Sequence, residues 1–248
     1  MIKKYFIMVL LIISIYNYNI FAQDNTSDNT TDKTNATNTN TDTNNTNNEA
    51  ETTNNQIQVI KNVPKNGWDL YLEGRYSESI NALMDEKIHF PGRINIYVIM
   101  GWDYKYLRNY YAMERISLEG LNVISDDTRI LQNLAESYYF QEKYADAIPI
   151  FQKYIALKFD KNDTYIPEAY YYLGDCFYNI KSYYKADIAL STAKYFQPNN
   201  MKLLLKLALV KEKNKDLKKA EEYYNTVIKY DANNNEAKEG LSRVKSLQ

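Results

Sequence analysis

From residue 60 onward the chain repeats itself every 34 residues, with frames that open at Ile60, Ile94, Thr128, Pro167 and Met201. A period of this length is one supersecondary unit. It is too short to bury its own apolar faces, so neighbouring units must stack into an extended array rather than close into a globule. The first three frames follow without a gap, and the extra residues Asn162 to Ile166 separate the third from the fourth. Within the fourth frame, Tyr170, Leu173, Gly174 and Phe177 have helical spacing, and so do Tyr183, Ala186, Leu190 and Ala193, with Pro198 as a stop. Each unit is therefore expected to be two antiparallel helices. Small residues such as Gly174, Ala186 and Ala147 let the axes approach, and Tyr138, Phe151 and Tyr224 fill the spaces beside them.

The other frames hold the same register. The third gives Leu131, Leu134, Ala135, Tyr138, Tyr144, Ala147 and Phe151, and the fifth Leu204, Leu207, Ala208, Leu217, Ala220, Tyr224 and Val227. The second keeps Tyr97, Met100, Gly101, Tyr104 and Tyr110 but loosens over Met113, Ser117 and Gly120, and the first keeps Gly74-Arg75-Tyr76, Ile80 and Pro91. Asp126-Asp127 and Asn199-Asn200 offer N-cap side chains, Pro149 lies early in a helix with a kink expected there, and Pro64 is expected in the first turn of the first helix. This pattern resembles the tetratricopeptide repeat consensus. The resemblance implies an all-α, right-handed α-solenoid of about five helix-turn-helix units near 60–93, 94–127, 128–161, 167–200 and 201–234, closed by a polar capping helix over 235–248. In that last stretch Ala237, Leu241, Val244 and Leu247 share one face.

The residues before the repeats read differently. Residues 1–22 carry Lys3-Lys4, an apolar run from Tyr5 to Ile15 and a small residue, Ala22, before Gln23, which is the pattern of a secretory signal peptide. An uncleaved membrane anchor is the alternative. Either way the rest of the chain is expected outside the cytoplasm, periplasmic or secreted. Residues 23–56 hold eleven Asn and eleven Thr and none of the larger apolar types, so they are expected to be a disordered tether. The repeat domain proper is then 57–248.

Charge and chemistry narrow the function class. The whole chain has a formal charge of −1, the repeat region about +2 without a basic block, and nothing points to nucleic acid as a partner. With one histidine, His89, and one cysteine, Cys176, no zinc site of the usual kind can form. No glycine-rich phosphate loop is present, and no catalytic residue, metal or cofactor is expected. His89 reads as a structural residue at a helix end and Cys176 as a small buried apolar one.

The expectation is a non-catalytic adaptor or scaffold that binds a protein partner in the cell envelope. The resemblance places the binding surface on the first helix of each unit, along a concave groove. Carried over residue by residue, that surface comprises Trp68, Tyr71, Trp102, Lys105, Tyr106, Arg129, Gln132, Glu136, Tyr139, Phe140, Glu168, Tyr171, Asp175 and Tyr178. Lys202, Leu205, Glu212 and Lys213 continue it in the fifth unit. So many aromatic rings suit peptide or helix binding, and internal packing of the same rings is the competing reading. The clamp by which some family members hold a carboxylate terminus is not implied, because Pro64, Trp68 and Glu136 stand where it needs Lys or Asn. Self-assembly through open solenoid ends and binding of wall glycan are the alternative functions. Membrane contact is expected only through an uncleaved N-terminal segment.

Overall fold

The structure is a computed structural model, and it describes residues 65–158 and 164–247. The expected signal segment, the tether, the helix start at Pro64 and the insertion residues Asn162 and Asp163 lie outside the described residues. Lys65–Gln248 forms one compact unit. It is all-α, and its helices in chain order are α1 (Gly67–Leu72), α2 (Tyr76–His89), α3 (Ile94–Tyr106), α4 (Tyr110–Val123), α5 (Thr128–Phe140), α6 (Tyr144–Lys158), α7 (Ile166–Asn179), α8 (Tyr183–Phe196), α9 (Met201–Lys213), α10 (Leu217–Tyr230) and α11 (Asn235–Ser246).

Odd- and even-numbered helices alternate as two layers. Each helix packs on the next, and α1–α3, α3–α5, α7–α9 and α9–α11 also approach closely, whereas even-numbered helices make no comparably close pair. The odd-numbered layer is therefore the inner, concave one. The pair α5–α7 does not make the close approach that α3–α5 makes, and it flanks the five-residue insertion.

The turn inside every unit has one construction. Gly74, Arg108, Glu142, Lys181 and Lys215 all adopt positive φ, between 54° and 75°. At each, this residue's N–H and the next one's reach back three and five residues to helix carbonyls at 2.8–3.1 Å, from Gly74 to Tyr71 and Arg75 to Leu70 through to Lys215 to Glu212 and Asp216 to Lys211. That is the Schellman closure of a helix. Only Gly74 adopts this conformation without steric cost; in the other four units the closure holds a side-chain-bearing residue in a region about 1–2 kcal/mol unfavourable.

The helix starts follow the sequence in part. Asp127 accepts from the N–H groups of Arg129 and Ile130, and Asn200 from that of Leu203. The first described helix differs from expectation. It begins at Gly67, capped by Asn66, whose side chain accepts from the Asp69 N–H, and it is six residues long. Pro149 lies within a continuous α6, where its missing N–H leaves the carbonyl of exposed Ala145 to solvent.

The core runs along the interface between layers. Ala147, Phe151, Ala186, Leu190, Leu207, Ala220 and Tyr224 are fully buried, and Tyr138 is half-buried beside them. At the crossing of α7 and α8, a Cβ on Gly174 would stand 2.5 Å from Leu190 Cγ and 3.2 Å from Leu190 N. Since the Leu190 backbone cannot yield, Gly174→Ala is expected to destabilise by about 1–3 kcal/mol despite its better helix propensity, read as a lower urea midpoint. At the C-terminal end, α11 seats Ala237, Gly240 and Val244 against the array, with Gly240 under the Tyr224 ring. Leu247, expected on that face, is exposed, because the helix ends at Ser246.

Candidate functional site: the inner face of the repeats

The inner layer presents a ladder of side chains that reach from one unit to the next. On α1 and α3, Trp68 stacks on Tyr71 at 5.5 Å between centroids, Tyr71 lies 5.6 Å from Trp102, and Tyr106 stacks nearly parallel on Tyr76 of α2 at 4.5 Å. Trp68 is buried, Tyr71 and Trp102 are half-buried, and Tyr106 is exposed. This end is an aromatic cluster with one edge in solvent.

The centre is polar and more deeply set. Glu136 of α5 is fully buried. Its Oε2 pairs with Lys105 Nζ of α3 at 2.5 Å, and its Oε1 accepts from Gln132 Nε2 at 3.1 Å and from the Tyr165 hydroxyl at 2.5 Å. Burial, then the Glu136 charge, holds the Tyr165 phenol well above its ordinary pKa. Arg129 is fixed from two sides, donating to Asn95 Oδ1 of α3 at 2.7 Å and pairing with Asp127 at 2.7 Å.

Across the α5–α7 junction the bridge is made by long side chains. The Tyr139 hydroxyl donates to Asp175 Oδ2 at 2.7 Å, and the Tyr139 ring lies 4.5 Å from that of Tyr172. Burial, then this bond to Asp175, raises the Tyr139 pKa. Phe140 stacks on Tyr110 of α4 at 4.8 Å. Asp175, itself buried, pairs with Lys206 of α9 at 2.9 Å. Lys202 sits 4.8 Å above the buried Tyr171 ring and Lys206 5.0 Å above half-buried Tyr178. Glu168 is exposed at the start of α7.

The fourteen expected residues thus lie on one layer, though not as one open stripe. Trp68, Glu136, Tyr171 and Asp175 are buried. The charged ones sink because partners one repeat away neutralise them, which consensus positions alone do not reveal. Tyr165, Asn95 and Lys206 complete the network and were not singled out in the sequence. A signal for the ion pairs was present, since Lys105–Glu136, Asp175–Lys206 and Glu212–Arg243 are all 31 residues apart. That spacing is one period less three residues, just under one helical turn, and it joins adjacent odd-numbered helices.

Elsewhere, His89 ends α2 with its Nδ1 3.0 Å from the Asp85 carbonyl oxygen. Cys176 is fully buried, and burial pushes its thiol up to about 12, where it is unreactive. Among the described residues no group of three or more His, Cys, Asp or Glu side chains could hold a metal ion, and no helix is long and apolar enough to cross a membrane.

The positive-φ turns recur at the intervals of the sequence frames, insertion included. A sequence model of the tetratricopeptide repeat matches residues 202–234, the fifth unit. The fifth unit is a tetratricopeptide repeat, and the array as a whole has the tetratricopeptide solenoid fold. A search of curated proteins finds no match. Among solved structures, MamA (residues 41 to the end) from Desulfovibrio magneticus RS-1 superposes with a TM-score of 0.61 at 17% identity, over 68% of this chain and 93% of that one. YrrB, described as a tetratricopeptide protein with an unusual peptide-binding site, gives 0.60 at 13% identity, over 67% and 83%. The Cut9–Hcn1 hetero-tetramer of APC/C gives 0.60 at 20% identity, over 72% of this chain and 35% of that one. At these identities the likeness is one of fold.

Proposed function

We propose that this tetratricopeptide protein is a non-catalytic adaptor, exported to the cell envelope, that holds a peptide or helix of a protein partner against its inner face. The observation that carries the reading is the cross-repeat ladder. Asn95–Arg129, Lys105–Glu136, Tyr139–Asp175 and Asp175–Lys206 fix long side chains before any partner arrives. A pre-ordered surface of half-exposed rings and immobilised polar groups loses little entropy on binding. YrrB, a protein of this fold with an unusual peptide-binding site, supports the same use. Export rests on residues 1–22.

The test is photo-crosslinking in the native cell from a benzophenone side chain at Tyr106 or Tyr178, with Lys153 on α6 of the outer layer as control. A discrete adduct from the first two positions and none from Lys153 is expected. Equal yields at all three, or none, would sink the groove reading.

A second reading, self-assembly, is favoured by one outer-face feature. Tyr184, Ile188 and Tyr195 of α8 are 74%, 54% and 76% exposed. They line an open cleft of about 690 Å³ with Tyr170 and Phe196. A strict monomer by light scattering at high concentration would remove it.

A further inference from the structure

Asp103 of α3 is fully buried where α1, α2 and α3 meet. Ser79 of α2 stands between it and α1, with its Oγ 2.7 Å from Asp103 Oδ2 and 2.8 Å from the Gly67 carbonyl oxygen. A hydroxyl has one proton to give. If Asp103 is ionised, that proton serves one acceptor, and the other short oxygen–oxygen contact holds no hydrogen. If Asp103 is protonated, both contacts are bonds: the carboxyl donates to Ser79 Oγ, and Ser79 donates to the Gly67 carbonyl. The remaining oxygen, Oδ1, is buried and has no hydrogen-bond partner among the described residues. A neutral acid tolerates that far better than an anion.

Among the described residues no cation compensates the Asp103 charge. Tyr71 of α1 and Tyr76 of α2 both feel the Asp103 charge, and Tyr106 of α3 lies against them. From α5, Glu136 is taken up by Lys105 and Arg129 by Asp127 and Asn95. The buried residues of α4 are Met113, Ile116, Ser117 and Gly120, none ionisable. Burial pushes the Asp103 carboxyl up to about 7, against the opposing effect of the Ser79 bond.

We propose that a proton on Asp103 latches α1 to the repeats, and that its loss as pH rises releases this helix together with the aromatic end of the inner face. α1 is short enough to open alone, since it buries only Gly67, Trp68 and Leu70. The folded-state pKa lies above the ordinary 3.8, so the closed state binds the proton more tightly. The latch is strongest below the ordinary value, weakens as pH climbs and levels off above about 7. It does not depend on what the inner face binds, and it is read without any partner.

The experiment is hydrogen exchange by mass spectrometry on the full chain at about pH 5.5 and about pH 7.5, corrected for intrinsic exchange, with α9 and α10 as internal reference. Opening of α1 should grow about tenfold per pH unit up to about 7, so α1 loses more than about tenfold in protection while the reference holds. In Asp103→Asn the amide donates to Ser79 at every pH, and α1 protection should be the same at both. Ser79→Ala, which removes the relay, should lower α1 protection already at the acid end, and His89→Gln should leave the wild-type transition in place. Trp68 and Trp102, the chain's two tryptophans, lie 6.4 Å apart at this site, so their emission gives a second readout. Unchanged α1 protection in the wild type overturns the proposal. So does a parallel loss in an Asp103→Asn chain whose circular dichroism shows it folded.

Discussion

Phe151→Ala is expected to lower stability by about 3–5 kcal/mol and to split unfolding into two steps. The ring is fully buried on α6 and stacks on Tyr172 of α7 at 5.8 Å. The size of the loss follows from the cavity left by a phenyl group in a close-packed interface. The splitting follows from where the cavity falls. Each repeat is stabilised mainly by its neighbours, and at this junction α5 and α7 do not come close, so α6–α7 packing carries much of the coupling between the halves. Both tryptophans lie in the first two units, so their fluorescence reports the N-terminal half, while circular dichroism reports the whole array. In urea the two signals should coincide for the wild type and separate for the variant. Coincident curves and a loss below about 1 kcal/mol would mean that the Tyr139–Asp175 and Tyr139–Tyr172 bridges, not Phe151, hold the junction.

How far the sequence disclosed this molecule depends on the scale of the feature. The 34-residue period was legible because the same apolar and small residues return in five frames, and burial of Ala147, Leu190 and Tyr224 follows directly from it. Caps at Asp127 and Asn200 were legible because a side-chain acceptor ahead of an apolar run has one common use. The repeated turn was not, because Arg108, Glu142, Lys181 and Lys215 occupy a conformation for which glycine is the usual sign, and only Gly74 displays it. The inner face was half legible. The consensus assigned positions to a layer, but exposure there depends on contacts between repeats. Glu136 looks like a surface acid until Lys105 and Tyr165 are brought to it from 31 residues before and 29 after. Asp103 was passed over because a lone acid between aromatic residues carries no sequence signature of its burial.

Lys105 and Glu136 form the pair whose disruption should cost most after the core. Glu136 is fully buried, whereas the Lys105 side chain is 34% exposed, so the two substitutions are not equivalent. Lys105→Met strands a buried carboxylate with only neutral donors, Gln132 and Tyr165, and is expected to cost up to about 3–5 kcal/mol. Glu136→Gln keeps an acceptor for the same donors and frees an ammonium that already reaches water, so its cost should be about 1 kcal/mol. Combining the two should recover most of the loss, because no unpaired charge remains, and the double-mutant cycle then measures the coupling. Urea unfolding followed by tryptophan emission reads all three variants. A burial-dominated pair is poorly screened, so the Lys105→Met loss should persist in molar salt. Equal, small and salt-sensitive losses for the two single variants would instead make the pair a solvated surface contact. A persistent asymmetry would mean that the centre of the inner face is a neutralised, immobile pair. In that case charge selectivity for a bound segment must come from inner-layer charges that reach solvent, such as Glu168 and Lys202.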